Sequence, residues 1–386
     1  MIIESFLDLD RYKLTMMQAA LHHFPAINAK YQFVNRSKNI DLVPFYDEIV
    51  YEINSLAHLF FRKSELKYLR SVPYFTDDFI DLLRFFKLYP EKQVKINTDN
   101  DKLNITIEGT WFHVILYETL ILSIVSEVYN RNVYNFENLK SMAINKIDEK
   151  ILLLKKNPIK LIEFGTRRRF SRTWQRSIIN SLTYTKTLRG TSNVRCAMDF
   201  DIKVIGTMAH EWFQAMQAVD ACSLKNCQKY ALDIWAKEYR GYLGIALTDT
   251  LGINAFINDF DMYFAKLYDG VRHDSGDPCV WMTKILQHYQ IFGIDSKTKT
   301  AIFSDNLNIP KAIELHNMFD TEINTMFGIG TNLTNDIPAV QSLSIVIKMI
   351  QFNGKPVAKI SDEPGKEITG CPEFLKDLKR TFSIHI

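Results

Sequence analysis

Lys160-Leu161-Ile162-Glu163-Phe164 runs directly into Gly165-Thr166-Arg167-Arg168-Arg169, a short apolar run that stops at a glycine and a polar cluster. The same texture recurs from here onward, in IKVIG (202–206), YLGIAL (242–247), FAKLY (264–268), TAIF (300–303), INTMFGI (323–329) and SIVIKMI (344–350). Segments of helical period follow most of these runs. Leu224, Cys227, Ala231, Ile234 and Trp235 fall on one helical face, as do Ile253, Phe256, Ile257 and Phe260. Trp281, Ile285, Tyr289 and Phe292 repeat the pattern before Gly293, a C-terminal stop. Short strands alternating with helices make βαβ units, and those build parallel sheets. Seven such runs after residue 158 predict an α/β fold with an incomplete (β/α) barrel rather than an open sheet. A doubly wound sheet remains the alternative, because periodicity alone does not close a barrel.

The chain before this point reads differently. Tyr12 to Phe24 predicts a helix ending before Pro25, and Ala29 to Val34 alternates as a strand does. Gln93 to Ile107 predicts a hairpin, with VKIN and LNITI around a Thr98-Asp99-Asn100-Asp101 turn. Val114 to Tyr129 is the longest apolar stretch, but Glu118 and Glu127 interrupt it, so a buried helix is expected rather than a membrane span. The expected organisation is a smaller mixed α/β domain over 1–140, the barrel over 141–350, and a C-terminal segment over 351–386 that packs on both.

Bulk properties set outer limits. The 386 residues are 47% hydrophobic and 24% charged, ordinary values for a chain with a sizeable core. The 47 basic residues nearly balance the 44 acidic ones, which argues against a bulk nucleic-acid binder. Five cysteines without a CxxC pair point to reduced thiols. The acidic N-terminus has no apolar core of a leader. A cytoplasmic protein is therefore expected.

The polar ends of the apolar runs carry the chemistry, since the C-terminal strand ends of such barrels build active sites. Gly328-Ile329-Gly330-Thr331-Asn332 is either a phosphate cradle or a tight turn, and Gly190-Thr191-Ser192-Asn193 carries the same two readings. In Arg272-His273-Asp274-Ser275-Gly276-Asp277-Pro278, Asp274 and Asp277 could hold a divalent metal or accept from ribose hydroxyls. Asp277 could equally cap a helix opened by Pro278. Arg167, Arg168, Arg169, Arg172 and Arg176 crowd one helix start, where positive charge is unfavourable, so a local anion, a salt-bridged face or RNA could compensate. His210, after an apolar run, is read as structural or as a nucleophile.

Taken together, DRYKLTM (10–16), YQFVNR (31–36), EFGTRRRFS (163–171), GTSNV (190–194), GTMAHEW (206–212), RHDSGDP (272–278), FSDNLN (303–308) and FGIGTNLTND (327–336) make the chain resemble the nicotinate phosphoribosyltransferases over nearly its whole length. The resemblance implies transfer of a 5-phosphoribosyl group from phosphoribosyl pyrophosphate to nicotinate, giving nicotinate mononucleotide and pyrophosphate in NAD salvage. It implies coupling to ATP, with Mg²⁺, through a phosphohistidine at His210. By the same resemblance Tyr12 lies against the nicotinate ring. Arg272 and Asp274 join His210 as catalytic residues, and Arg167, Ser192, Asn193, Thr207, Ser275, Gly276, Ser304, Asp305, Gly328, Gly330 and Thr331 contact substrate. A homodimer with the site near its interface is implied too, so Tyr12 could arrive from the other subunit. His273 and Asn306 depart from the family pattern, which often has Gln and Gly there. A nicotinamide-specific enzyme and a non-catalytic sensor of phosphoribosyl metabolites are the competing readings.

Overall fold

The computed structural model describes residues 1–99, 102–363 and 367–384. Two sheets carry the architecture. One is antiparallel and contains β1 (Asn28–Asn35), β2 (Val94–Asp99) and β3 (Lys102–Thr110). The second, of six strands, is wholly parallel: β4 (Leu161–Glu163), β5 (Leu188–Thr191), β6 (Ile245–Leu247), β7 (Gly270–His273), β8 (Thr300–Phe303) and β9 (Asn324–Ile329). Its order is β5-β4-β9-β8-β7-β6, so strands adjacent in sequence are joined by helical crossovers along most of the row. A parallel bridge from Thr191 to Val204 extends the β5 edge. Among the described residues no pairing joins that edge to β6, so the pairings form an open row and do not display the expected barrel closure.

Three of the apolar runs are not the parallel strands they resemble. FAKLY is helical, within Met262–Leu267, because the Asp261 side chain accepts from the Tyr263 and Phe264 N–H groups and starts a helix there. The strand comes directly after it, at β7, where Gly270 allows a close approach; a Cβ would sit 1.9 Å from the Thr300 carbonyl oxygen. IKVIG makes only the Val204 bridge, since the Arg11 guanidinium takes the Val204 and Gly206 carbonyls that a further strand would need. SIVIKMI becomes β10 (Ile345–Phe352), which pairs antiparallel with β1 in the first sheet. Alternation explains this. Ile345, Ile347 and Met349 are buried and lie opposite Asn35, Phe33 and Tyr31, a half-buried pattern suited to a sheet with one covered face. With β11 (Lys355–Pro356) the antiparallel order is β11-β10-β1-β3-β2. Residues 345–356 thus complete the first sheet from the far end of the chain.

The other elements match the periodicity. The first helix runs Arg11–His23, and the expected hairpin is β2–β3, although turn residues Asn100 and Asp101 lie outside the described residues. Gly293 ends the helix Pro278–Ile291 with φ +63°, the left-handed conformation glycine tolerates best. Trp111–Val133 is long and apolar enough to cross a membrane by composition, yet 83% of its most apolar window is buried inside the protein, where it forms a core helix. The N-terminal segment is stitched to the parallel sheet. Arg11 N–H donates to the Ser192 carbonyl (2.7 Å), and Val194 and Arg195 N–H donate to Leu9 (3.0 Å) and Leu7 (2.7 Å). This stitching brings Tyr12 to the rim of the parallel sheet.

Candidate active site

The C-terminal ends of β4, β9, β8 and β7 face a cavity of about 540 Å³, walled on the other side by β10. Gly165, Arg167 and Arg168 follow β4, Gly330 and Thr331 follow β9, Ser304 and Asp305 follow β8, and Arg272 and Asp274 close β7. His210, Tyr12 and Glu118 complete this side. Arg36 and Lys348 come from the antiparallel sheet, and Lys359 from the C-terminal segment. The cavity is rich in cations, the composition suited to phosphate groups.

His210 begins the helix His210–Met216 and is 12% exposed. Its Nε2 lies 2.8 Å from Asp249 Oδ1. Asp249 is fully buried after β6, and its Oδ2 accepts from Ser275 Oγ and Lys359 Nζ, both at 2.7 Å. Burial opposes charge on Asp249, but His210 and Lys359 outweigh it and hold the carboxyl well below its usual range. An ionised carboxylate can only accept, so Nε2 of His210 carries the proton and Nδ1 keeps its lone pair. Nδ1 has no hydrogen-bond partner among the described residues. Burial, aided by the Lys359 charge and opposed by Asp249, pulls the His210 pKa down to about 4.

This gives a pH prediction. The ring is neutral above about 4 rather than above its ordinary value of 6.5, so its nucleophilic form persists to low pH. Proton resonances of the His210 ring should stay unchanged from pH 7 to pH 5, roughly, and shift only as pH approaches 4. A midpoint near 6.5 would refute the depressed value. The stability sign follows: the folded ring takes up its proton at lower pH than the unfolded one, so its contribution to stability declines as pH falls from 6.5 through 4.

Asp274 Oδ1 accepts from Ser304 Oγ (2.6 Å), and Oδ2 lies 3.3 Å from Arg272 Nη2 and 3.7 Å from His210 Nε2. Burial pushes the Asp274 carboxyl up, but Arg272 prevails and brings it to about 2. Arg272 also donates to Thr207 Oγ1 and to the Met208 carbonyl, so it fixes Asp274 against the His210 segment. At the other end Tyr12 is 6% exposed, with the Arg167 guanidinium 5.7 Å from its ring centroid. Arg167 is steered by Asp10 (3.3 Å) and Glu118 (3.4 Å). Lys348 reaches in from β10 with no hydrogen bond or ion pair among the described residues; burial and the Lys359 charge lower its pKa to about 8.

Of the residues expected from sequence, His210, Arg272, Asp274, Tyr12, Arg167, Ser304, Asp305, Gly330 and Thr331 line this cavity. Tyr12 lines the cavity of its own chain. The others stand behind it. Ser192 Oγ donates to Asp10 (2.6 Å), while Asn193 donates to Asp8 (2.8 Å) and caps the helix Val194–Phe200. Thr207 serves Arg272, and Ser275 serves Asp249. Gly276, at φ +81°, turns the chain toward Asp362. Asp277 accepts from the Cys279 and Val280 N–H groups as a helix cap and is not among the residues that line the cavity. His273 points into the core, with its Nε2 3.1 Å from the Gly276 carbonyl and its ring against Trp281. Asn306 sits at φ +44°, a left-handed position that asparagine tolerates in place of glycine.

Gly328 lies inside β9 and is not among the residues that line the cavity. A Cβ there would meet the Phe164 ring at 2.3 Å. Gly328→Ala should therefore cost about 1–3 kcal/mol by overpacking, measured as a shift in denaturant midpoint; an unchanged midpoint would show that Phe164 simply moves aside.

The strand-end rule places Asp249 on the rim, at the polar end of YLGIAL, but gives it no role, and sequence reasoning missed Lys348, Lys359, Arg36 and Glu118 as site residues. Lys348 is a lone cation on an alternating strand, also a readable signal. Lys359 carried none.

Comparison with known proteins agrees with this geometry. The model of the nicotinate phosphoribosyltransferase (NAPRTase) family matches residues 159–386, and that of the family's N-terminal domain matches residues 7–126. A nicotinate phosphoribosyltransferase of Burkholderia cenocepacia is 47% identical, over 100% of this chain and 98% of its own. One from Cupriavidus necator is 45% identical, over 100% and 99%. Among solved structures, the nicotinate phosphoribosyltransferase of Vibrio cholerae superposes with a TM-score of 0.95 at 41% identity, covering 100% of this chain and 95% of that one. That of Porphyromonas gingivalis gives 0.93 at 33%, covering 99% and 100%. With similarity of this extent along both sheets and the cavity between them, the chain belongs to the nicotinate phosphoribosyltransferase family.

Proposed function

We propose that the protein transfers the 5-phosphoribosyl group of phosphoribosyl pyrophosphate to the ring nitrogen of nicotinate in NAD salvage, with ATP consumed through phosphorylation of His210. The observation that carries the ATP-linked part is the His210–Asp249 pair. It presents a neutral imidazole with an unpartnered Nδ1 in the same cavity as Asp274 and the cations of both sheets. In the transfer itself the bond from C1 of the ribose to pyrophosphate breaks as the bond to the base nitrogen forms. Charge builds on the leaving group, and positioning supplies most of the rate.

The chain's residues divide this work. Tyr12 offers a flat apolar face beside Arg167, a place for an aromatic ring that bears a carboxylate. Asp274, ionised and fixed by Arg272 and Ser304, can accept from ribose hydroxyls. Lys348 and Arg36 from the antiparallel sheet, with Arg168 after β4, would face the phosphates. For Mg²⁺, His210, Asp249 and Asp274 bring ligand atoms within 4.8 Å of one another, but Asp249 already serves His210, Ser275 and Lys359. The hard oxygen donors that fit the ion are Asp274 and Asp305, both on the cavity wall. Bound there, it would neutralise charge on the diphosphate.

Turnover with nicotinate and with nicotinamide, each with and without ATP, tests the assignment. Nicotinate should be preferred, with faster turnover when ATP is present. A preference for nicotinamide would overturn the substrate, and binding of phosphoribosyl pyrophosphate without pyrophosphate release would favour the sensor. Arg167 carries the nicotinate preference. Arg167→Gln should raise KM for nicotinate by roughly 10–100-fold, the value of a charge-assisted pair, and an unchanged KM would place the carboxylate elsewhere.

A further inference from the structure

Lys359 enters the cavity from a part of the chain remote from every strand-end loop. It ends the short strand β12 (Ala358–Lys359), which pairs with β13 (Ile368–Thr369). The chain around it is fastened across the ends of β6 and β7. Ala358 N–H donates to the Gln217 side chain and the Ala358 carbonyl accepts from it, both at 2.8 Å. Ile360 N–H donates to the Thr250 carbonyl (2.9 Å), and the Asp362 carboxylate accepts from Ile253 N–H (2.9 Å). Such anchoring on both sides holds a lysine that is only 7% exposed, with its Nζ 2.7 Å from Asp249.

The charge balance at His210 gives this placement a purpose. Two carboxylates, Asp249 and Asp274, stand within 3.7 Å of Nε2. A phosphoryl group arriving on the ring brings further negative charge beside them. Arg272, the nearby guanidinium, is already directed at Thr207, Met208 and Asp274. Lys359 has three N–H bonds and one acceptor, Asp249, among the described residues, and it lines the same cavity as the ring.

We propose that Lys359 is a catalytic residue for phosphorylation of His210, donating to the oxygens of the transferred phosphoryl group while one N–H stays on Asp249. This rests on the reading of His210 as the phosphate acceptor. In the step, the Nδ1 lone pair forms the N–P bond as the bond from the γ-phosphorus to the β,γ-bridging oxygen breaks, and that electron pair leaves with ADP. The Nε2 proton stays on the ring, hydrogen-bonded to Asp249, so no proton changes hands. Lys359 offsets the charge that the phosphoryl group adds to a site already holding two carboxylates.

Single-turnover labelling of the full chain with γ-labelled ATP and Mg²⁺ tests this, with the acid-labile phosphate followed over time. Lys359→Met should slow the labelling rate constant by about 100-fold, as loss of one charge-stabilising donor does. Lys359→Arg, which keeps the charge, should stay within about 10-fold of the unsubstituted protein. A merely structural lysine would lower the labelled amplitude, by reducing the folded fraction, and leave the rate constant alone. That result, or an Arg variant as slow as the Met variant, would overturn the proposal. Failure of the unsubstituted chain to label at all would instead remove the phosphohistidine reading beneath it.

Discussion

His210→Ala is expected to reduce acid-labile phosphate incorporation from ATP to background, a loss on the order of 10³-fold or more, since among the described residues no other histidine lines the cavity. ATP stimulation of nicotinate turnover should vanish with it. The fold should survive. Removing the ring takes one hydrogen bond from Asp249, but Lys359 and Ser275 still hold that carboxylate, so no buried charge is orphaned. The cost should be about 1 kcal/mol, small against the 3–5 kcal/mol that an unpaired buried charge would bring. Labelling and thermal unfolding of the same preparation separate the two effects. Wild-type labelling in the variant would place the phosphate on another residue, and collapse of the fold would mean that Asp249 depends on the imidazole more than its other contacts suggest.

The strand-end segments were legible because the signal is local. A short apolar run and the polar cluster that ends it lie consecutively in sequence, and for β4, β8 and β9 they lead to the cavity wall. Periodicity could not tell a strand from a short buried helix, so FAKLY was misread, and it could not tell a parallel partner from an antiparallel one, so SIVIKMI was assigned to the wrong sheet. The arginine cluster shows the same limit for charge. Arg169 is wholly buried and pairs with Asp8 at 2.6 Å, Arg172 meets Glu4, and Arg176 meets Asp199 at 2.5 Å. Only Arg167 and Arg168 face the cavity, and the carboxylates that take up the others lie 23 to 168 positions away in the chain. The pairing of Lys359 with Asp249, 110 positions away, was hidden for the same reason.

Lys13 carries the largest expected effect on stability. It sits one residue from Tyr12, is 0% exposed, and its Nζ contacts Glu118 (2.5 Å) and Glu211. Glu118 in turn steers Arg167, and Glu211 also accepts from Trp111 Nε1 and Tyr31 OH at 3.3 Å. Lys13→Met keeps the length of the stem and removes the charge, leaving two buried carboxylates facing each other. Destabilisation of about 3–5 kcal/mol is expected near neutral pH, read from the denaturant midpoint. The pH dependence distinguishes this cause from lost packing. In the native protein burial raises the Glu118 pKa, but Lys13 and Arg167 overcome it and bring the group from 4.5 to about 2. That carboxylate's contribution to stability is therefore complete above 4.5 and is lost as pH falls toward 2. In Lys13→Met the dominant cation is gone, burial wins, and the carboxylates take up protons more readily folded than unfolded, so acid relieves the variant while it weakens the unsubstituted protein. The stability difference between them should narrow as pH drops from 7 to 4, roughly, through the carboxylate range. Adding Glu118→Gln, which removes one of the two orphaned charges, should recover part of the loss at neutral pH. A gap that stays constant with pH, together with no recovery in the double variant, would mean that Lys13 acts by filling space and not by holding the two carboxylates under Tyr12 and His210.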